Sequence, residues 1–134
     1  MENKLRIVLI NHSFQKEYYY RRWQLFAQNY KNVEVYLLTP AKVDWYATKE
    51  YTFSGAETVY GKVIDEENFH IRLFRLNFFG WSWFSTDYKK IFKEIQPDLI
   101  YHVGTHRMLS LIQVAMVSHR VCTKAKLALF SMRG

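Results

Sequence analysis

Three histidines fall where an alternating strand-and-helix chain most readily stages chemistry. His12 follows the apolar run Leu5-Arg6-Ile7-Val8-Leu9-Ile10, and His102 lies in Asp98-Leu99-Ile100-Tyr101-His102-Val103. His106 opens the helical pattern after that second run. Their neighbours are polar: Asn11 and Ser13 flank His12, while Gly104, Thr105 and Arg107 surround His106. A neutral imidazole hydrogen-bonds a sugar hydroxyl or stabilises a developing charge. The positive end of a helix dipole favours that neutral form at His106. A single histidine in such a place is more often a satisfied structural residue; three at one sheet edge shift the balance towards a site. Arg21 and Arg22, in Tyr18-Tyr19-Tyr20-Arg21-Arg22-Trp23, sit near the start of a helical segment, where a guanidinium reaches a phosphate or an acidic sugar. Helical spacing also accounts for them as a wet face beside a buried Tyr19/Trp23 face. Ser131-Met132-Arg133-Gly134 follows the last apolar run in the same way.

The elements that must position these residues are legible from periodicity. Leu5 to Ile10 is an uninterrupted apolar-rich run, the signature of a parallel strand covered on both faces. From Gln15 to Tyr30 the period becomes helical, with Tyr19, Trp23, Phe26, Ala27 and Tyr30 on one stripe. Val33 to Thr39 reads as a second strand closed by Pro40, completing a β-α-β unit. Extended pieces at 58–64 and 69–76 suggest a hairpin around 65–68, with Phe69, Ile71, Leu73 and Leu76 facing the core. Tyr88, Ile91, Phe92 and Ile95 mark a helix capped by Ser85 or Thr86 and stopped by Pro97. Asp98 to Val103 is the next strand. Met108, Leu111, Ile112, Ala115, Met116 and His119 give a helix so widely apolar that it is expected to be sandwiched. Lys126 to Met132 is the last strand. The alternation predicts one α/β domain over 1–134, a Rossmann-like three-layer sandwich with a mainly parallel central sheet. Ligands then bind beyond the carboxyl ends of the strands, near the switch in strand order.

Composition narrows the partners. Lys and Arg outnumber Asp and Glu by 19 to 12, a net charge of +7 that favours anionic ligands. The basic residues are scattered, with no run beyond two, which argues against nucleic acid. The 10 Tyr, 10 Phe and 4 Trp exceed what a small core hides. Five rings occur within Phe78-Phe79-Gly80-Trp81-Ser82-Trp83-Phe84, which suits an anionic membrane surface or contact with a further domain. With Arg72, Arg75, Lys89 and Lys90 close by in sequence, the expected location is cytoplasmic, peripheral at the inner face of the cell membrane. No G-x-G-x-x-G follows the first strand, and no G-x-x-x-x-G-K-[ST], G-x-S-x-G or zinc spacing is present. The lone Cys122 lies in an apolar run and fits a buried, inert thiol.

The order LRIVLINHSF, YYYRRW, VEVYLLTP, IQPDLIYHVG and ALFSMRG resembles the N-terminal domain of GT-B glycosyltransferases, most nearly the retaining family-four group. The resemblance covers nearly the whole chain, with 41–68 matching in general layout. It implies two Rossmann-like domains across a cleft, the first holding the acceptor and a C-terminal one, absent from this chain, binding the nucleotide-sugar. It implies no cofactor and no metal, the nucleotide-sugar entering as co-substrate. Asn11, His12 and Ser13 would line the acceptor side, and Ser131, Met132 and Arg133 the cleft floor. The family's histidine position aligns with Tyr101, so His102 and His106 are the rival catalytic candidates. Arg21, Gly104, Thr105 and Arg107 join them as substrate contacts. The expected function is acceptor binding in transfer to a carbohydrate or lipid-linked acceptor, in polysaccharide or cell-envelope glycan synthesis. These 134 residues alone are expected to be inactive. A stand-alone, non-catalytic ligand-binding module is the alternative, and the reading frame beyond residue 134 discriminates the two.

Overall fold

The computed structural model describes residues 4–11, 14, 17–44, 58–75, 77–79, 82–103 and 109–130. In chain order these form β1 (Leu5–Ile10), α1 (Glu17–Asn29), β2 (Val33–Pro40), β3 (Lys42–Asp44), β4 (Thr58–Tyr60), β5 (Ile64–Asp65) and β6 (Phe69–Phe74). There follow β7 (Asn77–Phe79), β8 (Ser82–Phe84), α2 (Tyr88–Ile95), β9 (Leu99–Val103), α3 (Leu109–Val121) and β10 (Lys126–Phe130). The main sheet has the order β10-β9-β1-β2-β6-β5, parallel throughout except for β5. Helices cover both faces, and the protein is an α/β, Rossmann-like sandwich.

The two faces carry separate cores because successive strand residues point to opposite sides. Leu9, Val35, Leu37, Phe69 and Ile71 pack with Tyr20 and Ala27 of α1. Val8, Ile10, Leu38, Phe74 and Ile100 pack with Tyr88, Ile91, Phe92 and Ile95 of α2 and Val114 of α3. The central strands thus bury side chains on both faces, which is why β1 and β2 read as continuous apolar runs rather than alternating ones.

Several local expectations need correction. On α1 the fully buried positions are Tyr20, Gln24 and Ala27, whereas Tyr19 and Tyr30 are exposed. The stripe is rotated because Gln24, polar and invisible to a hydrophobic pattern, is accommodated by hydrogen bonds with Glu66 (2.8 Å) and Arg21 (2.8 Å). On α3 the inner face is Ser110, Val114 and Ser118, while Ile112, Ala115, Met116 and His119 are exposed, so this helix is not sandwiched. Its hydroxyls turn inward because each finds a partner: Ser110 in Tyr88 and His102, and Ser118 in the Ala115 carbonyl. The 58–64 piece is divided: β4 pairs with β3, and only β5 pairs with β6. Phe74 takes a core place; Leu76 lies outside the described residues. The aromatic segment forms a short antiparallel pair, β7 with β8.

At the start of α2 the preceding residue is Asp87, and Ser85 Oγ accepts its N–H at 3.2 Å. The Asp87 carboxylate turns instead to Arg75, accepting its backbone N–H at 2.8 Å and its guanidinium at 3.0 Å. The helix ends at Gln96, left-handed at φ 51°, just before Pro97. Gly61 is required by close approach: a Cβ there would stand 2.6 Å from Leu73 Cδ2 and 2.9 Å from the Pro40 carbonyl oxygen.

Asp98 fastens the amino ends of three strands. Its carboxylate accepts the Arg6 N–H at 2.9 Å, its N–H donates to the Arg6 carbonyl, and its carbonyl accepts the Lys126 N–H. Lys124 Nζ lies 3.3 Å from Oδ1. The Arg6 backbone donor, with Lys124 and Arg6 charges adding, holds the Asp98 carboxyl below the usual carboxylate range. A lowered folded pKa means the stabilisation is complete above the unfolded value, about pH 3.9, and is lost as pH falls through the folded value. Asp98→Asn is therefore expected to melt lower than wild type at neutral pH, with the two curves converging in acid. Melting temperatures followed from neutral to acid pH check this; a constant offset would contradict it.

Candidate functional site

β1 lies between β9 and β2, with Ile10 in register with His102 on one side and Leu38 on the other. From the end of β1 the chain runs into α1 on one face; from the end of β9 it runs into α3 on the opposite face. Adjacent strand ends whose connections leave to opposite faces open a crevice between them, the switch point at which open α/β sheets bind ligands. The parallel register builds it: had β9 paired elsewhere, residues 12–13 and 104–107 would not follow neighbouring strands.

Asn11 directly follows β1 at this end of the sheet, half-buried, its N–H donating to the Leu38 carbonyl at 3.1 Å. His102 points into the α2–α3 face and is fully buried. Its Nε2 lies 3.1 Å from Ser110 Oγ, which is 2.7 Å from the Tyr88 hydroxyl. Burial pushes the Tyr88 hydroxyl far above its ordinary range, partly offset by Ser110, so it stays a neutral phenol. Arg21 is exposed on α1, its guanidinium donating to Gln24 Oε1. His12, Ser13, Gly104, Thr105, His106, Arg107, Met132 and Arg133 lie outside the described residues. The structure therefore brings together the strand ends that carry Asn11 and His102, and leaves Arg21 further along α1.

Thr39, at the end of β2 and so among the strand ends that the alternation marks, is fully buried with its hydroxyl lacking a hydrogen-bond partner. Lys62 stands over the Tyr20 ring, Nζ 5.4 Å from the centroid. The Tyr20 hydroxyl holds its ammonium above the ordinary lysine range. Nothing in the sequence around Lys62 announces this, because it depends on the chain folding back over Pro40 at Gly61.

Between α1 and β9 lies a cavity of about 120 Å³ lined by Trp23, Phe26, Ile7, Leu99 and Tyr101 among others. Its walls offer only apolar contact, so it suits a hydrocarbon group rather than a sugar. On the α2–α3 side of β2 and β6, away from the strand ends, a charged cluster ties in the edge strand. His70 lies 2.7 Å from Asp65 and 3.6 Å from Glu34, and Arg72 lies 2.7 Å from Asp65. Tyr36 stacks on His70 and donates its hydroxyl to Glu34; burial first, then Glu34, pushes that hydroxyl up to about 12. Cys122 is buried, and burial raises its thiol. Among the described residues, no group of three or more His, Cys, Asp or Glu is placed to hold a metal ion.

No family model, no curated protein and no solved structure matches this chain. The crevice has to be read from its own chemistry.

Proposed function

We propose that this domain is the acceptor-binding half of a nucleotide-sugar-dependent glycosyltransferase acting on a carbohydrate or lipid-linked acceptor. The observation that carries the reading is the switch point itself: neighbouring ends of β1 and β9 whose chains leave to opposite faces. The Asn11-His12-Ser13 and Gly104-Thr105-His106-Arg107 segments follow those two ends. These residue types hydrogen-bond hydroxyls and neutralise phosphate. No glycine fingerprint follows β1, so the dinucleotide or donor pyrophosphate is left to another domain. In this reading His106 meets the transferred sugar. His102, enclosed beneath α2 and α3, holds the strand end from which His106 follows. Met132 and Arg133 line the cleft floor, and Arg21 handles an anionic group. Among the described residues no helix is long and apolar enough to cross a membrane, and the membrane part of the reading is a peripheral contact with an anionic face.

The test uses the longest reading frame that contains this chain. Nucleoside diphosphate release is measured from UDP-glucose, UDP-N-acetylglucosamine and GDP-mannose, with and without polyprenyl-diphosphate sugars. Acceptor-dependent release that falls about a hundredfold in His106→Ala is expected. Acceptor-independent release, or full activity in that variant, would overturn the assignment. Saturable sugar binding mapped to Asn11 by NMR, with no turnover from any donor, would replace the enzyme with a binding module.

A further inference from the structure

The strongest unassigned surface is the outward side of the α2–α3 pair. On these two helices the exposed charged residues are Lys89, Lys90, Lys93 and Arg120 against Glu94. On α2 the apolar side chains Tyr88, Ile91, Phe92 and Ile95 face the sheet, which turns Lys89, Lys90 and Lys93 outward. On α3 the inner face is Ser110, Val114 and Ser118, so the opposite pole is Ile112, Met116 and His119, with Arg120 at its flank. Ile112 and Met116, one turn apart, are 55% and 54% exposed. Leu127 of β10 is in register with Ile100, on this same side of the sheet, and is 39% exposed. Both helices pack on one sheet face, so their outward poles form one surface with aliphatic groups bordered by cations.

We infer that this α2–α3 surface docks on an anionic lipid bilayer. The chemistry selects that partner. Aliphatic side chains of this size enter the boundary between headgroups and acyl chains, while lysines beside them keep their ammonium groups among anionic headgroups. A nucleic acid would be held by exposed rings on which bases stack. The described rings of α2, Tyr88 and Phe92, are instead buried, and α3 contains no Phe, Tyr or Trp, its one ring being the imidazole of His119. A protein partner of ordinary composition would leave the lysines desolvated against it without matching charge. The inference deepens the peripheral-membrane part of the proposed function, and it stands or falls without reference to glycosyl transfer.

The experiment is sedimentation of the 134-residue chain with vesicles of phosphatidylcholine, alone or with phosphatidylserine as roughly a third of the lipid. Retention is expected on the anionic vesicles only, and is expected to disappear near 1 M salt, where the screening length is about 3 Å. Lys90→Glu/Lys93→Glu is expected to weaken binding about tenfold or more, as reversal of two surface cations implies. Ile112→Ser/Met116→Ser, at exposed positions and checked for unchanged circular dichroism, is expected to reduce retention severalfold. The charge-matched control Lys31→Glu/Lys42→Glu is expected to leave it within about twofold. The inference is overturned by failure to bind anionic vesicles at low salt. Equal losses from the control pair, or tighter binding to a single-stranded oligonucleotide, would overturn it too. So would a dimer in solution that Ile112→Ser/Met116→Ser dissociates, since a second copy would then cover the patch. Vesicle binding without transferase activity would support the docking surface while removing the enzyme reading.

Discussion

Asn68→Ala is expected to cost about 2–4 kcal/mol of folding stability, read as a fall in the urea midpoint with an unchanged slope. Asn68 is 2% exposed and its backbone carbonyl accepts the Val35 N–H at 2.9 Å. Its side-chain amide donates to the carbonyls of Ala27 (2.7 Å), Tyr30 (3.2 Å) and Val33 (2.8 Å). The Ala27 carbonyl belongs to the last turn of α1, whose carbonyls have no helical donor ahead of them. One side chain therefore closes the end of α1, the turn after it and the first residue of β2, from a position just before β6. The amide's two N–H groups are shared among these three carbonyls; alanine removes both donors, and each such loss costs about 1–3 kcal/mol before relaxation.

Asn68→Asp separates this account from simple loss of packing. The shape is kept, but an ionised carboxylate would face three carbonyl oxygens with nothing to donate. It should destabilise more than alanine at neutral pH. The folded state would favour the protonated acid, raising that carboxyl's pKa above its unfolded value. Stability is then present below the unfolded pKa and lost as pH rises through the folded one, so the variant should recover on acidification. An aspartate variant insensitive to pH, or an alanine variant as stable as wild type, would show that the donor is not what the site uses.

β1 and β2 were legible because burial on both faces leaves a plain signal; β9 and β10 also lie within a residue or two of the apolar runs that announce them. Their neighbours were not. That β9 joins β1 directly, bringing Ile10 beside His102, is a fact of register that no local pattern contains. Helix faces were misread where polar groups are buried with partners. Gln24, Ser110 and Ser118 all face inward, Gln24 and Ser110 held by hydrogen bonds to other elements and Ser118 by the Ala115 carbonyl of its own helix. A hydrophobic pattern weighs such residues as outward and rotates the stripe, which is how Tyr19 displaced Tyr20 and Met116 displaced Val114.

The same cause governs the candidate site. The strand-end rule marks this end of the sheet from sequence, since it depends only on alternation and on the one-way direction of parallel strands. It could not distinguish a histidine facing the crevice from one facing the core. His102 alternates with Tyr101 along β9, so its side chain goes to the α2–α3 face, where Ser110 and Tyr88 receive it. Thr39 was placed at that end by the β2 run, but Lys62 reaches it through contacts distant in sequence, beyond the reach of spacing arguments.

Ser110→Ala is expected to cost about 2–4 kcal/mol despite removing a single oxygen. Ser110 Oγ stands between the Tyr88 hydroxyl and His102 Nε2, all three residues fully enclosed. The serine has one proton to give, so where it donates to one neighbour and accepts from the other the three form a directed chain. If Tyr88 donates to Ser110, Ser110 donates to Nε2 and the His102 proton resides on Nδ1; the reverse direction places it on Nε2. Alanine takes the Ser110 hydrogen bond from the buried phenol and from His102 Nε2 together. Tyr88→Phe removes one end and leaves Ser110 able to serve His102, so it should cost less. In Tyr88→Phe/Ser110→Ala only His102 Nε2 loses that bond. The double variant should therefore lose at least about 1 kcal/mol less than the sum of the single ones. Nitrogen chemical shifts of His102 give the direction, and Ser110→Ala should alter them while circular dichroism stays unchanged. Strict additivity with unaltered shifts would mean that the three residues merely lie near one another. Coupling with a shifted imidazole would mean that the end of β9, and with it one wall of the crevice, is set by hydrogen bonds made beneath the sheet.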